Sequence, residues 1–208
     1  MKPKQLPTWP LLFFPVTLSM GILIIPLVPD YSDHLAAASA AGQTLRWFWG
    51  HMLCAASFGI GALTPWIVVG LLGERANAGW RTVCVPLMAA GGALYAAGLG
   101  ADGIGPLAMS VGGGTARMFF DGSGIWITGV FMGGSILFGV GLLLQVLIVV
   151  RSGLLSNRSR AVVLLAALIF LIAPTIPSGW ALYGMASASL GVYIPIWRAL
   201  TEPSGIVD

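Results

Sequence analysis

Residues 125–150 read IWITGVFMGGSILFGVGLLLQVLIVV, and no charged residue interrupts them. A transmembrane helix needs about 20 consecutive apolar residues, so this stretch alone is long enough to cross a bilayer. Backbone N–H and C=O groups in lipid must be paired within the segment, and the stretch lacks the alternation of a barrel strand. It therefore predicts a membrane-spanning α-helix.

Apolar segments of similar character occur on both sides of this one. The six predicted spans are residues 9–28, 47–72, 82–99, 125–150, 161–173 and 180–200. The connections between them are short, which leaves almost no room for a separate extramembrane domain. We expect an all-α, polytopic transmembrane helix bundle that forms a single transmembrane domain over residues 1–208.

The composition excludes several other classes of protein. Of the 208 residues, 57% are hydrophobic and only 8% are charged, and the mean hydropathy is +0.92. Soluble domains carry roughly 25% charged residues. A soluble enzyme, a disordered chain and a collagen-like fibre are therefore excluded.

The basic residues predict the orientation of the bundle. With the N-terminus inside the cell, the inner segments hold eight of the ten Lys and Arg residues, and only Arg46 and Arg117 lie outside. Cytoplasmic loops retain Lys and Arg, so both termini are expected inside, in a cell membrane that is most simply a bacterial inner membrane. The basic residues are scattered rather than gathered on one face, which argues against a nucleic-acid partner.

Cysteines and tryptophans follow from the same topology. Cys54 falls in the outer half of the second span and Cys84 near the inner start of the third, so we expect two free thiols. Neither cysteine belongs to a metal or redox motif. Trp47 and Trp49 are expected at the outer headgroup level, whereas Trp66 is expected to pack inside the bundle.

Small residues at four-residue spacing predict the helix contacts. Gly92, Gly129, Gly133 and Gly184 each belong to such a pattern. Small side chains let helix backbones approach closely, so we place these four glycines at helix–helix interfaces. The alternative is a substrate path lined by glycine.

Polar groups that can do chemistry gather on the predicted outer side. The first outer loop and the start of the second span supply four of them and the second outer loop supplies three. The candidate ligand or partner site consists of Asp30, Asp33, His34, His51, Asp102, Arg117 and Asp121. Two histidines beside carboxylates can bind a metal ion or supply a general base. The alternative is a solvated rim whose ion pairs order the loops.

The second outer loop is predicted to be long. Residues 100–124 connect the third and fourth spans, and their apolar side chains indicate that the loop lies on the membrane surface or caps the bundle. Within it, residues 112–117 read GGGTAR. Successive N–H groups beside an arginine can hold an anion, and the alternative is a flexible loop.

Two short stretches suggest a resemblance. Residues 139–145 read GVGLLLQ and residues 151–155 read RSGLL. A long Gly/Leu-rich helix that runs into such an inner turn resembles an uncharacterised family of bacterial six-helix membrane proteins. The alanine-rich first outer loop is similar too. The resemblance implies a six-helix fold and no catalytic residues.

Three functions remain open from the sequence. The favoured one is a non-enzymatic accessory, interaction or lipid-binding subunit whose partners are membrane lipid and other membrane-protein subunits. The others are a membrane-embedded enzyme or metal-binding protein with its site at the outer rim, and a small transporter. No charged residue falls in the middle of a span, which disfavours a proton-coupled transporter. The sequence assigns no catalytic residue, metal ligand or cofactor.

The topology predicts which engineered cysteines are accessible. In a background without Cys54 and Cys84, Ser32→Cys should react with an impermeant thiol reagent added to intact cells, and Ser156→Cys should react only after lysis. Labelling of Ser156→Cys in intact cells would contradict the predicted orientation.

Overall fold

The computed structural model describes residues 6–76 and 78–201, and this part of the chain is helical with no strands. The helices are α1 (Trp9–Ile24), α2 (His34–Ala41), α3 (Thr44–Gly61), α4 (Thr64–Leu72), α5 (Ala78–Val111), α6 (Ala116–Arg151), α7 (Asn157–Ile172) and α8 (Gly179–Thr201). Short 3-10 turns, Gly73–Arg75 and Ala173–Thr175, follow α4 and α7. Lys2 and Lys4, which contribute to the predicted charge bias, lie outside the described residues.

Four helical segments in the described chain are long and apolar enough to cross a membrane. They are Thr44–Arg75, Gly79–Val111, Trp126–Arg151 and Asn157–Thr175. Helix α1 is apolar but has only 16 residues, because Pro26 follows its end closely. Helix α8 has 23 residues and is not among the four. The all-helical fold is therefore confirmed, and four of its helical segments are long and apolar enough to cross a membrane.

The predicted loop over residues 100–124 is wrong, because the two helices beside it continue into it. Helix α5 runs on to Val111 and α6 begins at Ala116, so only four residues separate them. The two helices have 34 and 36 residues, about 50 Å each at 1.5 Å per residue. A hydrocarbon core is about 30 Å thick, so this hairpin is long enough to project beyond it.

The predicted span 47–72 is also not one continuous helix. It divides between α3 and α4 at Ala62 and Leu63, just before Pro65. Proline has no N–H to donate to the carbonyl four residues earlier, which is that of Gly61. The Thr64 hydroxyl donates to this carbonyl instead, at 2.7 Å.

Aromatic rings fill the centre of the bundle. Phe14 of α1 lies 5.8 Å from the ring of Phe58 on α3, 5.6 Å from Phe138 on α6 and 5.2 Å from Tyr193 on α8, between ring centroids. Phe170 of α7 packs against the same group. Five helices thus converge on one buried aromatic cluster, which sets their mutual distances.

Close helix contacts do occur at glycines, but mostly not at the predicted ones. A Cβ atom on Gly92 would lie 2.9 Å from the Phe58 carbonyl oxygen, so Gly92 does lie at such a contact. Added Cβ atoms on Gly129, Gly133 and Gly184 would meet no described atom within 4 Å. Those three predictions are wrong, because these glycines face away from the neighbouring helices. The close helix–helix contacts lie instead at Gly21, Gly50, Gly91, Gly134 and Gly139.

The cysteines agree with the prediction and two tryptophans do not. Cys54 and Cys84 are both free and buried. Trp47 is fully buried rather than at a headgroup level, and Trp66, expected inside, is 68% exposed. The buried indole N–H of Trp47 is satisfied by a hydrogen bond to the main-chain oxygen of Asp102.

Neighbouring glycines on α6 provide a matched test of this packing. A Cβ on Gly134 would lie 2.6 Å from the backbone nitrogen of Tyr95, whereas one on Gly133 would meet open space. We expect Gly134→Ala to lower the free energy of unfolding by about 1–3 kcal/mol through overpacking. Gly133→Ala should leave it unchanged or slightly higher, since Ala favours helix. Equal thermal stability of the two variants in detergent would contradict the α5–α6 contact.

Candidate functional site

The first part of the candidate site is a buried pair formed by His51 of α3 and Asp102 of α5. The His51 Nε2 atom lies 3.1 Å from the Asp102 Oδ2 atom, and the two side chains are 4% and 16% exposed. Gly103 allows this approach, because a Cβ on it would lie 2.8 Å from the His51 Cβ. The sequence placed these two residues on one side of the bundle, and the structure brings them into direct contact.

The other ring nitrogen of His51 is engaged as well. Its Nδ1 atom lies 2.7 Å from the main-chain carbonyl oxygen of Trp47, one turn earlier on α3. A carbonyl oxygen only accepts, so Nδ1 must carry the hydrogen. Nε2 then faces a carboxylate oxygen, and a hydrogen bond there requires one further proton, held by His51 or by Asp102.

Trp47 holds both members of this pair in place. Its indole Nε1 donates to the main-chain oxygen of Asp102 at 2.8 Å, and its ring lies 4.4 Å from that of His51 between centroids. One side chain of α3 therefore fixes the backbone of α5 and supports the imidazole. Sequence analysis missed this role, because an indole near a helix start is typical of a headgroup position.

The second part of the site is an exposed cluster at the same end of the bundle. His34, the first residue of α2, has its Nδ1 atom 2.7 Å from Asp121 Oδ1 on α6. The Arg117 Nε atom donates to the other oxygen of Asp121 at 3.2 Å. Asp121 precedes the apolar part of α6, and the hydrogen bond from His34, followed by the influence of Arg117, holds the pKa of its carboxyl below the usual range.

The remaining predicted carboxylates serve the local backbone. Asp30 accepts hydrogen bonds from the Ser32 hydroxyl at 2.6 Å and from the Ser32 N–H at 2.9 Å, which lower the pKa of its carboxyl. Asp33 caps α2 by accepting from the N–H groups of Leu35 and Ala36. Neither joins the two His–Asp pairs. The seven candidate residues therefore divide into the buried His51–Asp102 pair, the exposed cluster of His34, Asp121 and Arg117, the turn at Asp30 and the helix cap at Asp33.

The predicted anion site at residues 112–117 is not supported by the hydrogen bonds of the turn. The N–H groups of Gly112, Gly113 and Gly114 donate to carbonyls near the end of α5, those of Ala108, Ser110 and Met109 respectively. The Thr115 hydroxyl accepts from the Met118 N–H and caps α6. Because the three glycine N–H groups are already used, they form a tight turn rather than an anion cradle.

A cavity of about 430 Å³ lies at this end of the bundle. Its walls are mainly apolar side chains of α1, α3, α5, α6 and α8, with His34, His51 and Asp102 among the polar groups. Asp121 and Arg117 are not part of the lining. The volume is in the lower part of the range of about 300–1,000 Å³ that holds small ligands. We call this space the histidine cavity.

The histidine cavity reaches the surface beside α6. Helix α6 packs mainly against α5 and α7 and has few contacts with α8, and the cavity lies between α6 and the connection from α7 to α8. Thr128 of α6 and Ile176, between α7 and α8, both line it and are themselves exposed. The opening therefore lies between these elements, on the side of the bundle.

Tyr31 is the cavity residue that sequence reasoning missed. It lies in the connection between α1 and α2, where its N–H donates to the Pro177 carbonyl at 2.9 Å. Burial, and then the nearby charge of Asp102, raise the pKa of its hydroxyl well above the usual range. Tyr31 therefore presents a neutral hydroxyl group to the cavity, and no sequence signal distinguishes it from an ordinary loop tyrosine.

Metal binding has little geometric support. In residues 6–76 and 78–201 no group of three or more His, Cys, Asp or Glu side chains is arranged to hold a metal ion. His51 has an oxygen at each ring nitrogen, so it has no free lone pair to offer a metal. The same arrangement leaves no ring nitrogen to deprotonate a serine or cysteine nucleophile.

Comparisons with known proteins do not identify the chain. It matches no family model, no curated protein and no solved structure. Its class is that of a helical membrane bundle with a side-opening cavity and a buried His–Asp pair. What it does has to be inferred from that cavity.

The two histidines offer a matched test of the buried pair. His51→Ala removes a buried partner from Asp102 and from the Trp47 carbonyl, which should cost about 1–3 kcal/mol of unfolding free energy. His34→Ala breaks an exposed pair with Asp121 and should cost clearly less, because water screens the interaction. Thermal unfolding of the two variants in detergent measures the difference. A larger loss for His34→Ala would contradict the assignment of the buried pair.

Proposed function

We propose that this chain is a multi-pass protein of a bacterial inner membrane that binds a small amphiphilic molecule in the histidine cavity. In this proposal the bundle is a single transmembrane domain of six spans with both termini inside the cell. The histidine cavity then lies in the outer half of the membrane. The observation that carries the proposal is an apolar cavity of about 430 Å³ with a buried His–Asp pair in its wall.

The composition of the walls supports an amphiphile. Most lining side chains are aliphatic or aromatic, such as Leu18, Phe58 and Phe131, and they favour hydrocarbon. The polar groups Asp102 and Tyr31 offer hydrogen bonds to a head group, and His51 holds Asp102 in place. A molecule with a short apolar body and a polar head satisfies both parts of the wall.

The side opening supports entry from the bilayer. Thr128 and Ile176 flank it, at the depth where α6 becomes uninterruptedly apolar. A lipid-like ligand can then move from the membrane into the cavity without crossing water. This is the lipid-binding form of the non-enzymatic function expected from the sequence, and other membrane-protein subunits remain its proposed partners.

The catalytic and metal-binding alternatives receive less support. A nucleophile or metal needs a free imidazole nitrogen, and both nitrogens of His51 are engaged. His34 is bound to Asp121 through Nδ1 and keeps Nε2 available, but among the described residues no group of three or more His, Cys, Asp or Glu side chains is arranged to hold a metal ion. A transporter would need a path from the histidine cavity to the opposite end of the bundle in addition to the buried His51–Asp102 pair, and the residues that line the cavity lie at one end.

Co-purification tests the proposal. We expect protein purified in mild detergent to retain a small amphiphile, detected by native mass spectrometry and by analysis of an organic extract. Thr128→Trp should fill the opening and remove the bound molecule, because Thr128 lines the cavity. Val130→Trp is the matched control, since Val130 is exposed on the same helix and is not part of the lining.

Each outcome bears on the proposal. Loss of the amphiphile in Thr128→Trp alone supports it. The same amphiphile content in wild type and both variants would contradict binding in the histidine cavity. A stoichiometric metal ion would favour the metal-binding alternative, and a reproducible protein partner without any amphiphile would favour a purely structural subunit.

A further inference from the structure

The proton count of the buried pair defines the charge of the cavity wall. His51 Nδ1 must donate to the Trp47 carbonyl, and Nε2 faces Asp102 at 3.1 Å. One extra proton is needed between them, either as imidazolium with carboxylate or as imidazole with carboxylic acid. In both forms the pair has no net charge.

The other polar groups of the cavity are uncharged or already matched. The titratable groups facing it besides the pair are the Tyr31 and Tyr95 hydroxyls, the Cys54 thiol and His34. Tyr31 is kept neutral by burial. Outside the lining, the Asp121 carboxylate is paired with the Arg117 guanidinium, and the His34 ring is bound to the same carboxylate through Nδ1. No ionised group of the described lining is left over for a charged ligand.

Two groups remain free to bind a head group. Among the described residues the Asp102 carboxylate is paired only with His51, through Oδ2, so its Oδ1 atom is open to accept a hydrogen bond. The hydroxyl of Tyr31 makes no hydrogen bond to any other side chain or backbone group that the structure describes, so it is open to donate one. A hydroxyl group can donate to the first and accept from the second.

We propose that the histidine cavity selects an uncharged amphiphile with a hydroxyl head, which donates to Asp102 and accepts from Tyr31. This inference rests on the proposed amphiphile-binding function and specifies its ligand class. A charged head would be buried against a neutral wall without a counter-ion, which is strongly unfavourable. A hydroxyl head keeps both hydrogen bonds and leaves the wall neutral.

Photoactivatable probes test the selectivity directly. Three probes share one diazirine-bearing chain and differ only in the head: a primary alcohol, a carboxylate and a quaternary ammonium. Each is added to the full chain in phosphatidylcholine nanodiscs at neutral pH, and labelled peptides are mapped by mass spectrometry. We expect the alcohol to label the α6 peptide around Thr128 about tenfold more than either charged probe, an advantage typical of a buried hydrogen bond.

Variants sharpen the test. Tyr31→Phe should reduce labelling by the alcohol several-fold without increasing labelling by the carboxylate. His51→Leu removes the imidazole that neutralises Asp102. In the imidazolium–carboxylate form this leaves an unpaired carboxylate, so labelling by the quaternary ammonium probe should rise, whereas in the imidazole–carboxylic acid form it should stay unchanged. Asp30→Asn is the control, because Asp30 bonds only to Ser32 at the same end of the bundle and should leave all three probes unchanged.

The outcomes distinguish the proposed selectivity for a hydroxyl head from the proposed binding of an amphiphile. Equal labelling of the cavity by the alcohol and a charged probe, or preference for a charged probe, overturns the selectivity while amphiphile binding stands. Absence of cavity labelling by all three probes in wild type contradicts amphiphile binding itself. The wild-type comparison needs no variant, so it holds even if His51→Leu fails to fold.

Discussion

A buried imidazole with an oxygen acceptor at each nitrogen is the constraint on which one end of this bundle depends. The Trp47 carbonyl at 2.7 Å requires a hydrogen on His51 Nδ1, so the contact of Nε2 with Asp102 at 3.1 Å requires a second proton. An unpaired carboxylate or imidazolium at this depth would be costly, whereas the pair as a unit is neutral. The indole of Trp47 closes the arrangement by binding the Asp102 main chain.

The histidine cavity follows from the same contact. The His51–Asp102 pair joins α5 to α3. Helix α6 packs against α5 and has few contacts with α8, so a space remains between α6 and α8. The exposed cluster of His34, Asp121 and Arg117 joins α2 to the start of α6 at the same end of the bundle. A polar wall on one side and an apolar, open side on the other give the space its amphiphilic character. Ligand selectivity is then a consequence of how the two helices are joined.

The sequence predicts the helices better than it predicts their faces. Long apolar stretches require helices in lipid. The predicted topology puts His34, His51, Asp102 and Asp121 at one end, and in the structure His51 contacts Asp102 while His34 contacts Asp121. Which histidine meets which carboxylate was not predictable, because a partner depends on helix rotation. One residue turns a helix by 100°, so Gly134 lies at a contact while Gly133 faces open space. The sequence predicts a loop over residues 100–124 because charged residues and glycines interrupt the apolar pattern there. The structure shows that the two flanking helices extend beyond their apolar stretches.

NMR of ¹⁵N-labelled histidine tests the central claim most directly. The chain has only two histidines, so in His34→Ala the ring nitrogen signals all come from His51. The account predicts that Nδ1 of His51 carries a hydrogen and that Nε2 is strongly hydrogen-bonded, with a proton held on it or shared with Asp102. A His51 ring whose Nδ1 carries no hydrogen would contradict the contact with Trp47, the neutrality of the pair and the ligand class inferred from it.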